Sequence, residues 1–231
     1  MEDRYWWFVG RRRLALGLLR DAVGTDRPEV LDLGCGTGAV LSELSTWTRS
    51  AGVDMAAQAL EYSAQRGLRD LVGARGESLP FREGCFDAVV ALDVFEHIED
   101  DAAALREACR VLKPGGALVL SVPAFMSLWG PHDVALMHFR RYRRHELRER
   151  LRVAGFESAK VSYSVFFLFP LVWAIRQFER RRTGEAEASL PAVPGWLNAA
   201  LIALQTLEAG LVRRLSLPWG SSLVAVARKS K

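Results

Sequence analysis

Apolar and polar positions along the chain alternate between two periods. Short apolar runs predict strands at about residues 29–34, 50–54, 70–74, 86–92 and 116–122. Helical spacing predicts helices between them at about 38–47, 56–66 and 101–112, with an earlier helix over 14–23. Strand and helix in turn imply a parallel sheet covered on both faces, a doubly wound α/β fold. Right-handed crossovers then bring the strand C-termini to one edge, where ligands sit. A helix at 144–154 and a strand at 157–166 follow, and the last strand reads over Ser222–Arg228. Between the last two strands, residues 168–218 form an apolar insertion. It carries one helical pattern over Leu171–Arg182. A second, over Trp196–Leu215, has Leu197, Leu201, Leu204, Leu207, Leu211 and Leu215 at helical spacing. The polar Thr183–Pro194 segment between them reads as a loop.

The first strand runs into Gly34-Cys35-Gly36-Thr37-Gly38 and then into a helix. Glycine takes backbone angles denied to other residues and lets a ligand press on the main chain. A strand, such a turn and a helix N-terminus surround a polar ligand with free N–H groups, so a nucleotide-like cofactor is expected here. Asp54 ends the next strand 20 residues after Gly34, placed to accept from ribose hydroxyls. Gly34, Gly36 and Ala39 also satisfy a dinucleotide pattern, so glycine spacing alone leaves an oxidoreductase open.

Composition narrows the setting. Half of the 231 residues are hydrophobic, which suits a full core and argues against disorder. A net charge of +4 does not by itself call for nucleic acid. Cys35, Cys85 and Cys109 have no metal-ligand spacing and fit a reducing cytosol. An acidic then aromatic start, with Arg20 inside the next apolar run, predicts no signal peptide and a cytoplasmic protein.

Downstream segments separate the cofactor classes. Leu31–Gly38, Gly52-Val53-Asp54, Glu77-Ser78-Leu79-Pro80-Phe81, Phe86–Val90, Phe95-Glu96-His97-Ile98 and Arg110–Gly116 follow in order. Together they resemble class I S-adenosylmethionine-dependent methyltransferases, specifically the small-molecule type 11 group. The likeness covers roughly residues 28–123, the cofactor-binding core of one domain whose residues 1–27 form an aromatic and helical cap. It implies a Rossmann-like seven-stranded sheet with an antiparallel last strand, and S-adenosylmethionine as cofactor. It also implies that Gly34, Gly36 and Gly38 pass beneath the methionine part and that Asp32 orients its amino group. Asp54 would hold the ribose, with Met55 against adenine and Glu77 and Ser78 flanking it. Leu92 and Asp93 would line the reacting end. Arg75 departs from the pattern, since it stands where an acidic residue commonly accepts from the adenine amino group, and a guanidinium cannot accept.

Methyl transfer from a sulfonium requires alignment and exclusion of water, and a base only where the acceptor is protonated. No metal is expected, although His132, Asp133 and His138 could also be read as ligands. The segment from Pro123 to Tyr142 is the richest in candidate chemistry. His132 or His138 is expected as base with Asp133 orienting an imidazole, against the simpler reading of loop histidines tying down backbone. Trp6, Trp7, Phe125, Arg140, Arg141 and Tyr142 are the expected acceptor contacts. The favoured acceptor is small or lipid-like, methylated at oxygen. The arginines leave an RNA substrate as the alternative, and Arg75 leaves a non-catalytic, membrane-associated binder. The insertion is expected as a lid, as a contact with the inner face of the cytoplasmic membrane, as a subunit interface, or as added core. The oligomeric state is not legible.

Overall fold

In a computed structural model of the chain, described for residues 2–179 and 192–230, the seven strands form one sheet. They are β1 (Glu29–Leu33), β2 (Arg49–Asp54), β3 (Leu71–Gly73), β4 (Phe86–Leu92), β5 (Leu112–Pro123), β6 (Phe156–Ser164) and β7 (Ser222–Lys229). Their order is β3-β2-β1-β4-β5-β7-β6. β1 to β5 pair in parallel, and β7 lies antiparallel to both β5 and β6. The strand order, β3-β2-β1 and then β4-β5, switches direction between β1 and β4, so the C-terminal ends of these two strands open a crevice at the switch point.

Strand side chains alternate between faces. Leu31, Leu33, Val89, Ala91, Leu118 and Leu120 point to one side. There they meet Leu105 and Ala108 of α4 (Asp101–Val111) and Leu147 and Leu151 of α6 (Arg144–Val153). Val30, Val90, Val119 and Val224 point to the other side. They are covered by Leu16 and Leu19 of α1 (Trp6–Ala22) and by Ala209 and Val212 of α8 (Gly195–Arg214). α2 (Ala39–Leu44) and α3 (Ala57–Gln65) flank the first half of the sheet. The short α5 (Pro131–Ala135) and the helix α7 (Phe169–Glu179) lie beyond the strand ends.

Two boundaries differ from the sequence reading for physical reasons. α1 starts at Trp6 rather than Leu14, and its first turn has no side-chain cap of its own. Instead the Trp6 N–H donates to Asn198 Oδ1 on α8 at 2.9 Å, and Asn198 Nδ2 returns a bond to the Arg4 carbonyl at 2.9 Å. A cap supplied from the far end of the chain leaves no local signature. β5 starts at Leu112, because the irregular register opposite Phe86 and Ala88 lets the Lys113–Gly116 turn stay in the ladder. The two helices of the insertion are α7 and α8; the expected Thr183–Pro194 loop lies mostly outside the described residues, as do the last residues expected for α7.

α8 is long and apolar enough to cross a membrane by length and composition alone. One stripe of it, with Gln205, Glu208, Ala209 and Val212, is buried against α1 and the sheet. A Cβ on Gly10 would stand 2.3 Å from Gln205 Oε1, so the glycine is what lets α1 approach α8 this closely. The Glu208 carboxylate accepts from the N–H groups of Val165, Phe166 and Phe167, fixing the bend that leads from β6 to α7.

Candidate active site

The glycine turn follows β1 with Gly34, Gly36 and Gly38 all at positive φ (70°, 54° and 81°). The N–H groups of Gly34 and Cys35 both donate to the Val53 carbonyl, tying the turn to β2. A Cβ on Gly34 would lie 2.4 Å from Val94, and one on Gly38 would lie 2.5 Å from Leu68. Above Gly36 there is open space, which is where a ligand can approach the backbone. The Asp54 carboxylate accepts from Gly36 N–H and Ala56 N–H, both at 2.9 Å, so its lone pairs are aimed along the turn.

Asp32 lies under this turn, 2% exposed, and its Oδ2 has no hydrogen-bond partner. Burial, with the neighbouring Asp54 charge, pushes its carboxyl up to about 8, against the pull of the Leu41 N–H. A buried carboxyl with one idle oxygen, beneath an open glycine backbone, fits a ligand that brings a cation and a polar tail. An amino-acid ammonium is such a cation, so these residues fit S-adenosylmethionine.

The adenine side is more exposed. Met55 is 71% exposed, and Ser78 is also at the surface. Glu77 is drawn into a 3.0 Å ion pair with Arg75. The off-pattern arginine thus engages, at the surface, the carboxylate expected beside adenine.

At the end of β4, Leu92 is half-buried and Asp93 adopts φ 54°, a left-handed backbone for a non-glycine residue. It is held there by the Ser121 hydroxyl (2.6 Å), by its N–H to the Ser121 carbonyl (2.9 Å), and by an ion pair with Arg11 of α1. Desolvation lowers Arg11 to about 10, still charged at neutral pH. Trp7, Arg11, Leu14, Ser121, Gln205 and Val224 help line a narrow cavity of about 20 Å³, room for about one water, between α1, α8 and the sheet. The Gln205 Nε2 is buried there without a partner. Neither Arg11 nor Gln205 stood out in the sequence, since each acts through a distant element.

The segment after β5 divides the expected acceptor residues. Asp133 is fully buried and accepts from Arg141 through its Nε and Nη2 groups (2.8 and 3.0 Å) and from its own loop at Gly130 N–H. Those bonds hold its carboxyl far below the usual range, against burial. His138 Nδ1 lies 3.0 Å from Asp133 Oδ1, so the expected oriented imidazole is His138. His132 makes no bond to Asp133; burial and nearby Arg176 lower its pKa. His97, expected to pack at the sheet edge, lies edge-on to His138 with ring centroids 4.6 Å apart.

Several of the residues expected at the acceptor have partners elsewhere in the fold. Tyr142 is buried and donates its hydroxyl to Asp101 Oδ2 at 2.8 Å, so it faces α4 and not the crevice. Arg140 pairs with Asp101 and the Glu99 carbonyl, and Arg141 is committed to Asp133 and the Ala124 carbonyl. Phe125 stacks on Tyr163 and lines a separate, arginine-rich groove with Arg144 and Arg148. Trp6 donates its backbone N–H to Asn198 on α8, and Trp7 is among the residues lining the cavity. Glu96 was missed: on the 3-10 turn Phe95–His97 it is fully buried, with both carboxylate oxygens unpartnered.

Residues 31–120 match the model of a methyltransferase domain. A ubiquinone biosynthesis O-methyltransferase of Bordetella pertussis is 31% identical over 117 residues, 47% of this chain and 48% of that protein. A mouse protein named "Probable tRNA methyltransferase 9B" is 35% identical over 96 residues, 40% of this chain and 21% of that one. The chain spans about half the length of the curated relatives it matches first, 44% and 61% of them. In three dimensions, phosphoethanolamine N-methyltransferase 2 of Haemonchus contortus, solved with S-adenosyl-L-methionine, superposes with a TM-score of 0.63 at 16% identity. That superposition covers 94% of this chain and 52% of the other. With its strand order, glycine turn and domain match taken together, the chain carries a class I S-adenosylmethionine-dependent methyltransferase domain over residues 31–120.

Proposed function

We propose that the protein transfers a methyl group from S-adenosylmethionine to an oxygen of a small, largely apolar acceptor. The reading rests on the narrow, mainly apolar cleft beside Asp93, walled by Trp7, Leu14 and Val224 with Arg11, Ser121 and Gln205 among its polar groups, which admits an acceptor once α1 and α8 part around it. S-adenosylmethionine supplies, when bound, a methyl group on a positively charged sulfur. The chain's own work is positional. Asp32 and the Gly34–Gly38 backbone hold the amino-acid tail, and Asp54 holds the ribose. Asp93, locked by Arg11 and Ser121, shapes the end of the crevice so that the acceptor meets the methyl in line. α1 and α8 roof the space and keep water out. His138, oriented by Asp133, takes the acceptor's proton. The resemblance to a quinone O-methyltransferase supports a phenolic acceptor with a greasy substituent.

The same reading places the protein in the cytoplasm, at the inner face of the membrane. Trp173, Leu171 and Ile175 on α7 and Trp196 and Leu207 on α8 are exposed, and arginines follow in the chain, a composition suited to a headgroup boundary. An RNA acceptor is the second reading, supported by the groove of Arg143, Arg144, Arg148 and Arg152 and by the tRNA methyltransferase relative.

Single-turnover assays with labelled S-adenosylmethionine test the first reading. Phenols carrying alkyl chains should be methylated at oxygen, with KM falling as the chain lengthens. Transfer to a tRNA transcript, with binding that weakens steeply in salt, would replace it by the second.

A further inference from the structure

Glu96, His97 and His138 come from two segments far apart in sequence, yet one ligand atom from each lies within 4.8 Å of the other two. Ligands at ~2.1 Å from one ion stand no more than ~4.2 Å apart, so the three side chains need settle by less than about 1 Å to share a cation. We infer that they form a divalent-cation site at the acceptor edge, of the type that takes Zn2+ or Mn2+.

Three independent features of the cluster point the same way. Glu96 is fully buried, and neither of its carboxylate oxygens has a partner. Buried carboxylates without a hydrogen bond are costly, and a metal ion is one of the few things that satisfy both oxygens. His138 is held through Nδ1 by Asp133, and the His97 ring stands edge-on beside it. The Asp133 contact is the arrangement metal-binding imidazoles use, in which the outer bond sets the tautomer and frees the second nitrogen for the ion. The neighbouring cations do not claim the site either. Arg11 is paired with Asp93 and Arg141 with Asp133, so Glu96 is the carboxylate left uncommitted.

Two imidazoles and one carboxylate leave coordination positions open, which is the pattern of sites that bind substrate. The class of ligand that suits such an opening is an acceptor with one or two adjacent hydroxyl oxygens. An ion there lowers the pKa of a bound hydroxyl, whose proton passes to water, and the oxygen keeps the electron pair it uses on the methyl carbon. This inference rests on the proposed acceptor edge, and it replaces proton removal by His138 with ionisation at the cation.

Equilibrium dialysis of the chelator-stripped full chain against Zn2+ or Mn2+ alone tests it, with metal content read by mass spectrometry. The expected result is about one ion per chain, with affinity weakened roughly tenfold or more in His97→Ala and in Glu96→Gln. His97 is exposed, so its removal leaves the fold intact; His145→Ala, an exposed histidine of α6, should bind as the wild type does. No ion on the wild-type chain, or undiminished affinity in His97→Ala, overturns the site. Methylation of phenols without ion binding would leave the proposed function standing and remove the cation. Ion binding without any methylation would do the reverse.

Discussion

Asp32 offers the sharpest handle on the cofactor crevice. Its carboxyl is raised from 3.8 to about 8 by burial and by Asp54, so in the free protein it is protonated at neutral pH. Pairing with a ligand ammonium needs the ionised form. At pH 6.5, keeping the charge costs about 2 kcal/mol, roughly 30-fold in affinity. Binding S-adenosylhomocysteine at that pH should therefore release close to one proton. Calorimetry in two buffers of different ionisation enthalpy reads this directly. Affinity should rise up to about tenfold between pH 6.5 and 7.5 as the cost falls. Asp32→Asn should bind more weakly, release no proton and show no such rise. A raised carboxyl pKa contributes stability that is complete below 3.8 and lost as pH climbs to about 8, so Asp32→Asn should gain stability over the wild type at pH 8. Binding by the wild type with no proton released, or equal affinity in Asp32→Asn, refutes the role assigned to this carboxyl.

Other substitutions separate chemistry from scaffold. Gly38→Ala should cost more than about 2 kcal/mol by chemical denaturation, because its φ of 81° and the 2.5 Å approach to Leu68 both oppose a methyl group, whereas Gly24→Ala, with open space around it, should be near neutral. Tyr142→Phe should lower stability by about 1–2 kcal/mol, since Asp101 keeps Arg140 and Arg150, and should leave acceptor KM unchanged. A shifted KM would return Tyr142 to the acceptor site. His138→Ala should slow single-turnover methylation by about 100-fold or more, while His132→Ala should change it little. Equal losses in the two would undo the distinction drawn from the Asp133 contact.

What could be read from the chain was whatever local pattern encodes. Apolar runs such as Val30–Leu33 and Phe86–Leu92 placed their strands within a residue or two, since burial on both faces leaves little freedom. The glycine turn was legible because three positive φ angles leave few other residues acceptable. The acceptor side was far less so. Arg140, Arg141 and Tyr142 look like ligand contacts in a row of polar and aromatic letters, yet each is consumed by Asp101 or Asp133, a pairing visible only once α4 and α5 are folded together. Glu96 and Arg11 escaped for the converse reason. An acidic residue between Phe95 and His97, and an arginine in a run of three, carry no local mark of lying beside the same crevice, the first fully and the second partly buried.

The seam between α1 and α8 sets an order of events in the living cell. It is stitched by Trp6 to Asn198, Arg13 to Thr206 and Asp21 to Arg213, so α1 is completed by a helix synthesised 192 residues later. At ordinary translation speeds Leu16 and Leu19 wait about 10–40 s for their cover. During that interval a nascent chain shows a greasy helix to whatever surrounds it, which makes it a client for chaperones.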